Sequence, residues 1–165
     1  MSKTILTSLR ITNPPLSFKT LVILHLMYIK ATVVKNSNIQ GRGVFAAEAI
    51  AAGEVVWKFD PNHDLTLSIK EFGALAENEK EILNHVAYLS AETGQYIYPP
   101  ENDPARYTNH DSEKNNLTVA VDAKVSPEPY FVANRDINKG EELTNNYHEF
   151  DGAIKLTAGV QNWLQ

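Results

Sequence analysis

The sequence predicts a mainly β fold with a small helical insert. Short segments rich in β-branched and aromatic residues recur from Tyr28 onward, Gly and Asn turn signals separate them, and one stretch alone has helical periodicity. The chain has 165 residues, 43% of them hydrophobic, which suits one domain with its own core. We therefore expect a single β-rich domain.

Five segments are expected to form strands, and turn-forming residues lie between them. The strand segments are 28–35, 43–46, 54–59, 117–122 and 130–134. The turns fall at 36–43, 52–53, 60–63 and 139–140. Several short strands with this punctuation are typical of a fold made of small sheets.

The helical stretch covers residues 68–90, inside an insert of 68–100. Ser68 followed three residues later by Glu71 is a capping-box pattern, which predicts Ser68 as the N-cap of a first helix. Asn78 is expected to cap a second segment whose apolar residues recur at helical spacing: Ile82, Val86 and Leu89.

Charge is unevenly distributed along the chain. The net charge is −5, with +4 in residues 1–30 and −9 in residues 31–165. Because nucleic-acid binders present dense Lys and Arg surfaces, no direct nucleic-acid partner is expected. The acidic body suits a cationic small molecule or a Lys- and Arg-rich peptide, and it is equally consistent with a surface charge that only aids solubility.

Cysteine is absent, which excludes disulfides, thiolate metal sites and a catalytic thiol. The five histidines include no close pair at metal-ligand spacing, so no metal site is expected. The apolar run 21–29 is too short to span a membrane and begins too late for a signal peptide. We expect a cytoplasmic protein without membrane contact, in which residues 1–27 form an N-terminal extension.

The first segment with chemical content is Gly41-Arg-Gly-Val-Phe45, followed by the strand-like residues 50–56. Two glycines around Arg42 let the backbone approach a ligand closely and expose its N–H groups. Taken alone, the same pattern is also typical of a plain turn before a strand. It is not a nucleotide fingerprint, because no third glycine opens a helix.

Two further segments are polar. Residues 106–116 place Arg, Tyr, Asn and His in their first five positions, which suits directional hydrogen bonds to a ligand or a solvated loop. Residues 133–147 contain a Lys-Gly turn and end at Tyr147, which alone is consistent with a hairpin that ends on a core tyrosine.

In this order and spacing, the three segments resemble the motifs of the SET-domain protein lysine methyltransferases, over roughly residues 28–150. The third segment matches the family pattern almost without a gap, and the second matches in part, through His110 and Asn115. The resemblance implies short curved sheets with a knot-like crossing of the second and third segments. It also implies methyl transfer from S-adenosyl-L-methionine to the side-chain amine of a lysine in a protein or peptide substrate.

The resemblance also assigns roles to single residues. Tyr147 would be the catalytic tyrosine. The cofactor would be held by Gly41, Arg42, Gly43, Arg106, Tyr107, Asn109 and His110. Since no zinc-binding cysteines follow Tyr147, the tail 151–165 would close the site. Trp163 would cover the adenine or, with equal weight, anchor the tail onto the core.

Three residues depart from the family pattern. Asp111 places a charge near the cofactor pocket, and Phe59 stands where a tyrosine is common. Asn145 stands where a larger aromatic side chain often limits the number of methyl groups, so room for multiple methylation is expected. Asp111 and Phe59 leave a catalytically weak or inactive binding module as an alternative. The other alternative is a β-rich scaffold with coincidental motifs, which a structure without the crossing of 106–116 and 133–147 would support.

Overall fold

The computed structural model describes residues 28–151. The expected N-terminal extension and nearly all of the closing tail, including Trp163, lie outside the described residues. Within this range there are two α-helices, α1 Ile69–Ala74 and α2 Glu77–Asn84. Ten strands accompany them: β1 Thr32–Asn36, β2 Arg42–Ala46, β3 Val55–Trp57, β4 Leu65–Ser68, β5 Tyr88–Leu89, β6 Gln95–Tyr98, β7 Asn109–His110, β8 Leu117–Ala120, β9 Tyr130–Ala133 and β10 Glu142–Asn145.

The strands form three small sheets, with strand orders β1-β2-β10-β7, β3-β9-β8 and β4-β6-β5. In the first sheet β10 lies between β2, to which it is antiparallel, and β7, to which it is parallel. Thr144 of β10 pairs with Asn109 of β7, and Asn145 pairs with His110. Because β7 and β10 belong to the second and third motif segments, those segments lie side by side. A scaffold with coincidental motifs was expected to lack this contact between the segments, so the structure does not support that alternative.

The mainly β prediction is confirmed. Each of the five predicted strand segments contains an observed strand, although β1 begins at Thr32 and β3 ends at Trp57. Tyr28, at the start of the first segment, makes an isolated bridge to Trp57. The core joins all three sheets through fully buried side chains such as Val44, Ile97 and Leu117. Trp57 packs on Phe131 at 4.8 Å between ring centroids.

The insert is less helical than predicted. Ser68 caps α1 with the full capping box, as expected. The prediction of Asn78 as a cap is wrong: α2 begins at Glu77 behind Ala76, whose backbone N–H donates to the Glu79 carboxylate. Helix α2 ends at Asn84, so Val86 and Leu89 do not continue it.

The reason is strand pairing within the insert. Tyr88 and Leu89 pair with Ile97 and Tyr96 of β6, and all but Tyr96 are buried. Burial in this three-stranded sheet outweighs the helical spacing of three apolar residues, because propensity is a weak prior against tertiary contacts. Neither helix within residues 28–151 is long and apolar enough to cross a bilayer.

Asp64 gives the fold a testable pH dependence. It is 7% exposed, and within residues 28–151 one of its carboxylate oxygens has no hydrogen-bond partner. Burial raises the pKa of Asp64 to about 6, because the ionised form loses hydration. The folded state therefore binds the carboxyl proton of Asp64 more tightly than the unfolded chain does. The free energy of unfolding that is lost by ionising Asp64 grows as the pH rises from about 4 to 6.

We expect Asp64→Asn to be more stable than the wild type at pH 8, by about 1–2 kcal/mol, and the difference to disappear at pH 4. Urea unfolding at both pH values measures this. Asp122→Asn, which changes an exposed turn residue that accepts the Lys124 N–H, is the matched control. A stability difference for Asp64→Asn that is equal at the two pH values would contradict the assignment.

Candidate active site

The Gly-Arg-Gly turn opens β2 and needs both of its glycines. Gly41 has φ +48°, a left-handed conformation that favours glycine, and among the described residues no atom lies within 4 Å of the position of a Cβ. Gly43 is buried, and a Cβ there would overlap the Glu142 carboxylate, with Cδ only 2.7 Å away. The turn is therefore open on the side of Gly41 and closely packed on the side of Gly43.

Asn109 joins this turn to the other two motif segments. Its side-chain N–H group donates to Glu142 Oε1 at 2.7 Å and to the Arg42 carbonyl at 3.1 Å. The second Glu142 oxygen accepts the Ser37 hydroxyl at 2.9 Å. One amide thus contacts all three segments predicted to form the site.

The two arginines predicted for the site, Arg42 and Arg106, make different contacts. The exposed Arg42 guanidinium lies over the Tyr107 ring, 4.3 Å from its centroid. Arg106 donates from Nη1 to the Pro99 carbonyl at 3.0 Å, which ties the second segment to the insert.

His110 and Tyr147 are in direct contact. The Tyr147 backbone N–H donates to His110 Nδ1 at 3.1 Å, so Nδ1 carries a lone pair and the proton of the neutral ring is on Nε2. The Tyr147 hydroxyl donates to the Thr108 carbonyl at 2.6 Å. Its oxygen keeps lone pairs that can accept a further hydrogen bond.

The Tyr147 hydroxyl is more weakly acidic than an ordinary tyrosine hydroxyl. Burial, followed by the negative charge of Asp151, raises the pKa of the Tyr147 hydroxyl above its ordinary value. The phenol therefore remains protonated at neutral pH. The Thr108 carbonyl fixes the direction of its proton, so the Tyr147 oxygen can accept a hydrogen bond at a fixed place.

Tyr147 lines a pocket of about 90 Å³ that is rich in aromatic side chains. The aromatic lining within the described residues is Tyr28, Trp57, Tyr88, Phe131, Tyr147 and Phe150. Phe150 stands edge-on to Tyr88 and Phe131, at 5.4 and 4.9 Å between centroids. Aromatic faces attract cations, so the lining suits a positively charged ligand.

The charged side chains in the pocket wall are of both signs. Asp151 and Arg106 both line the pocket. Burial raises the pKa of the Tyr88 hydroxyl well above its ordinary value, and the negative charges of Glu128 and Asp64 raise it further. The attraction for a cation therefore comes mainly from the aromatic faces.

The residues that depart from the family pattern are placed as follows. Asp111 accepts the backbone N–H groups of Glu113 and Lys114 at 2.9 and 2.8 Å, and these bonds hold the pKa of its carboxyl below the usual value. The Asp111 carboxylate therefore stabilises the turn that follows it in the chain. Phe59 lines a second groove with Ile29 and Val125, and it is not among the described residues lining the Tyr147 pocket.

Several site residues were not signalled by the sequence motifs. Tyr28 donates to or accepts from Thr108 Oγ1 at 2.7 Å, and it was expected only as the start of a strand. Asn116, rather than Asn115, joins the second segment to β10: its amide donates to the Glu142 carbonyl and accepts the Thr144 N–H. Their contacts are with residues distant in sequence, so no local sequence pattern marks Tyr28 and Asn116 as site residues.

The residues present fit S-adenosyl-L-methionine by their chemistry. Guanidinium groups suit its carboxylate, backbone carbonyls suit its amino group, and the open space beside Gly41 admits a ligand at the turn. In the part of the chain that the structure describes, no group of three or more His, Asp or Glu side chains could hold a metal ion.

Fold and site together define a class of protein: a small β-rich domain with a Gly-Arg-Gly turn and an aromatic pocket, in which two motif segments distant in sequence pair as parallel strands. The SET domain family model matches residues 41–148. The chain belongs to the SET domain family.

Individual relatives agree with this assignment. Histone-lysine N-methyltransferase 2D of Homo sapiens is 29% identical over 125 residues, which are 70% of this chain, and the Mus musculus protein gives the same values. The chain spans about 2% of the length of these curated relatives.

Solved structures show the same fold. A structure of Chaetomium thermophilum Polycomb Repressive Complex 2 superposes with a TM-score of 0.58 at 28% identity, covering 79% of this chain and 17% of that one. CpSET8 from Cryptosporidium superposes with a TM-score of 0.53 at 22% identity, covering 74% and 59%.

The Gly-Arg-Gly turn can be tested by substitution. We expect Gly43→Ala to weaken S-adenosyl-L-methionine binding by about tenfold or more, because the added methyl displaces Glu142 from Asn109, a loss of about 1–3 kcal/mol. Calorimetry measures the affinity. Gly73→Ala, where no described atom lies within 4 Å of the new Cβ, is the control. Equal affinity of both variants would show that the turn does not support the cofactor site.

Proposed function

We propose that the protein transfers a methyl group from S-adenosyl-L-methionine to the side-chain amine of a lysine in a protein substrate. The observation that carries the proposal is the Tyr147 hydroxyl, fixed by the Thr108 carbonyl in an aromatic pocket that Arg106 of the second segment also lines. Membership of the SET domain family supports it. The names of the curated relatives make histones the first substrates to test.

The cofactor would be held by Gly41, Arg42, Gly43, Arg106, Tyr107, Asn109 and His110. When bound, it supplies a methyl group on a positively charged sulfur, which is already activated for transfer. The chain's own task is alignment, which by itself supplies a large part of the rate in reactions of this kind. Asn109 serves alignment by joining the turn to β7 and β10.

The aromatic pocket would prepare the lysine. At neutral pH the amine must lose a proton, which costs about 4 kcal/mol for an ordinary lysine. Removal of water from around the amine lowers this cost because it disfavours the charged form. The aromatic faces act in the opposite direction, and their contribution is to attract the ammonium into the pocket before it loses its proton. The Tyr147 oxygen then accepts an N–H bond from the neutral amine and orients its lone pair.

The test uses the full chain, tritium-labelled S-adenosyl-L-methionine and a mixture of core histones. We expect calorimetric binding of the cofactor and label in protein that withstands acid precipitation. Binding without transfer would favour the alternative of a SET-like binding module of little or no activity, which the Phe59 and Asp111 departures suggested. Absence of both binding and transfer would contradict the proposal.

A further inference from the structure

The outer edge of strand β3 is paired over a short distance in the part of the chain that the structure describes. In the sheet β3-β9-β8, strand β9 covers the inner edge of β3. On the outer edge Tyr28 bridges Trp57, and the Ile29 N–H donates to the Val56 carbonyl at 2.8 Å. The bridge is antiparallel, so a strand continued before Tyr28 would lie along the residues that follow Trp57.

The residues that follow β3 line an apolar groove of about 340 Å³. The apolar lining consists of Ile29, Phe59, Pro61, Val125 and Pro127. Ile29 is 50% exposed and Val125 is 38% exposed. The groove therefore leaves apolar surface open at the place where the described part of the chain begins.

The sequence that precedes this place is apolar. Residues 21–27 read Leu-Val-Ile-Leu-His-Leu-Met, and the chain then reaches the groove wall at Ile29. Residues 1–30 carry a net charge of +4 and residues 31–165 carry −9, so contact between the two parts joins opposite charges. A segment tethered next to its site is also present at a high effective concentration, which a separate peptide or a second copy does not have.

We propose that residues 21–27 dock into this groove and continue the antiparallel pairing along the outer edge of β3. The register of the bridge places Met27 opposite Lys58 and Leu26 opposite Phe59. The pairing supplies backbone hydrogen bonds, and the groove takes the apolar side chains.

The alternation of side chains along a strand supports this register. Tyr28 is buried and Ile29 is half exposed, so the strand has an inner and an outer face at this point. Leu26 lies two residues before Tyr28 and shares its inner face. Phe59, opposite Leu26, is partly buried and packs against the core, so that a leucine at this position covers its open side.

The paired stretch ends at Phe59. The Asp60 backbone N–H donates to the Asp64 carboxylate at 2.8 Å, and Pro61 has no N–H to donate. Neither residue can therefore extend the ladder. Residues 21–25 contact the groove through their side chains.

Docking ties the N-terminal segment to the Tyr147 pocket. The Tyr28 hydroxyl is hydrogen-bonded to Thr108 Oγ1 at 2.7 Å, and the Thr108 carbonyl accepts the Tyr147 hydroxyl at 2.6 Å. A segment that holds Tyr28 against β3 therefore also supports the residue that fixes the Tyr147 hydroxyl.

The test uses the absence of cysteine, because two introduced cysteines then report on one pair of positions alone. The full chain carrying Leu26→Cys with Phe59→Cys, or Met27→Cys with Lys58→Cys, is treated with oxidised glutathione and mapped by mass spectrometry of unreduced digests. Directly opposite residues have Cα atoms about 4.5–5.5 Å apart, which a disulfide can span. We expect both pairs to form an intramolecular disulfide in most molecules. Lys58 is exposed, so the second pair serves if the first does not fold.

The matched controls recombine the same four positions. In Leu26→Cys with Lys58→Cys, and in Met27→Cys with Phe59→Cys, a shift of one residue puts the two side chains on opposite faces. We expect these combinations to form at least about tenfold less disulfide than the matched pairs.

Three results would overturn the proposal. Equal linking in all four combinations would show that the segment lies near β3 without fixed pairing. Disulfide-linked dimers would show that a second copy supplies the segment, and the absence of a link in both matched pairs would leave the groove to a separate partner. The readout involves neither cofactor binding nor methyl transfer, so failure of the proposed function would leave the docking intact.

Discussion

Tyr147→Phe is expected to lower the rate of methyl transfer at least about 100-fold, because a misplaced reacting group costs a factor of this size. The variant keeps the aromatic ring and loses the hydroxyl that the Thr108 carbonyl holds at 2.6 Å. The amine then lacks the acceptor that directs its lone pair. Single-turnover kinetics with saturating cofactor measure the chemical step without product release.

The affinity for S-adenosyl-L-methionine should change little in Tyr147→Phe, since the hydroxyl bonds to Thr108 and not to the Gly-Arg-Gly turn. Tyr96→Phe removes a tyrosine hydroxyl from the insert and should retain the wild-type rate. A Tyr147→Phe rate within a factor of about three of the wild type would remove the role given to this residue.

Asn116→Ala is expected to have the largest effect on stability. Asn116 is 2% exposed, and its amide bonds two backbone groups of β10, the Glu142 carbonyl at 2.7 Å and the Thr144 N–H at 3.0 Å. Alanine leaves both groups buried and unpaired, which costs about 3 kcal/mol or more in the free energy of unfolding. Urea or thermal unfolding measures the loss.

The neighbouring residue provides the matched control. Asn115 is half-buried, and its amide donates only to the nearby Leu117 carbonyl. Asn115→Ala should therefore cost less than about 1 kcal/mol. If the two variants were equally stable, the contact of Asn116 with β10 would not be what holds the second and third segments together.

Much of this site could be predicted from the sequence because its motifs carry the contacts themselves. Gly41, Gly43, Asn109, His110 and Tyr147 occur at fixed spacings, and hydrogen bonds join Asn109 to the Gly-Arg-Gly turn and Tyr147 to His110. The Ser68 cap could be predicted for a similar reason, since a capping box is formed by residues three apart in the chain.

The remainder depends on contacts between residues distant in sequence. Strands β5 and β7 have two residues each, too few for any periodic pattern, and they exist because β6 and β10 pair with them. Tyr28 reaches the pocket across 80 residues of sequence to Thr108, so no local pattern could place it there. The choice between Asn115 and Asn116 is likewise made by burial against β10.

The structure also revises how the departures from the family pattern are interpreted. The Asp111 carboxylate accepts the backbone N–H groups of Lys114 and Glu113, so its charge stabilises a turn as well as lying near His110. Phe59 stands where a tyrosine is common in the family, and Tyr28 and Tyr88 bring two hydroxyl-bearing rings to the pocket. The second finding weakens one of the two reasons for proposing an inactive module.

Methyl transfer to the Nε atom of lysine can be observed directly. The measurement is tandem mass spectrometry of histones incubated with the wild type or with Tyr147→Phe and with S-adenosyl-L-methionine whose methyl group is deuterated. We expect deuterated methyl groups on lysine Nε with the wild type and their near-complete loss with the variant. Label on another residue type, or equal lysine label with both proteins, would contradict it.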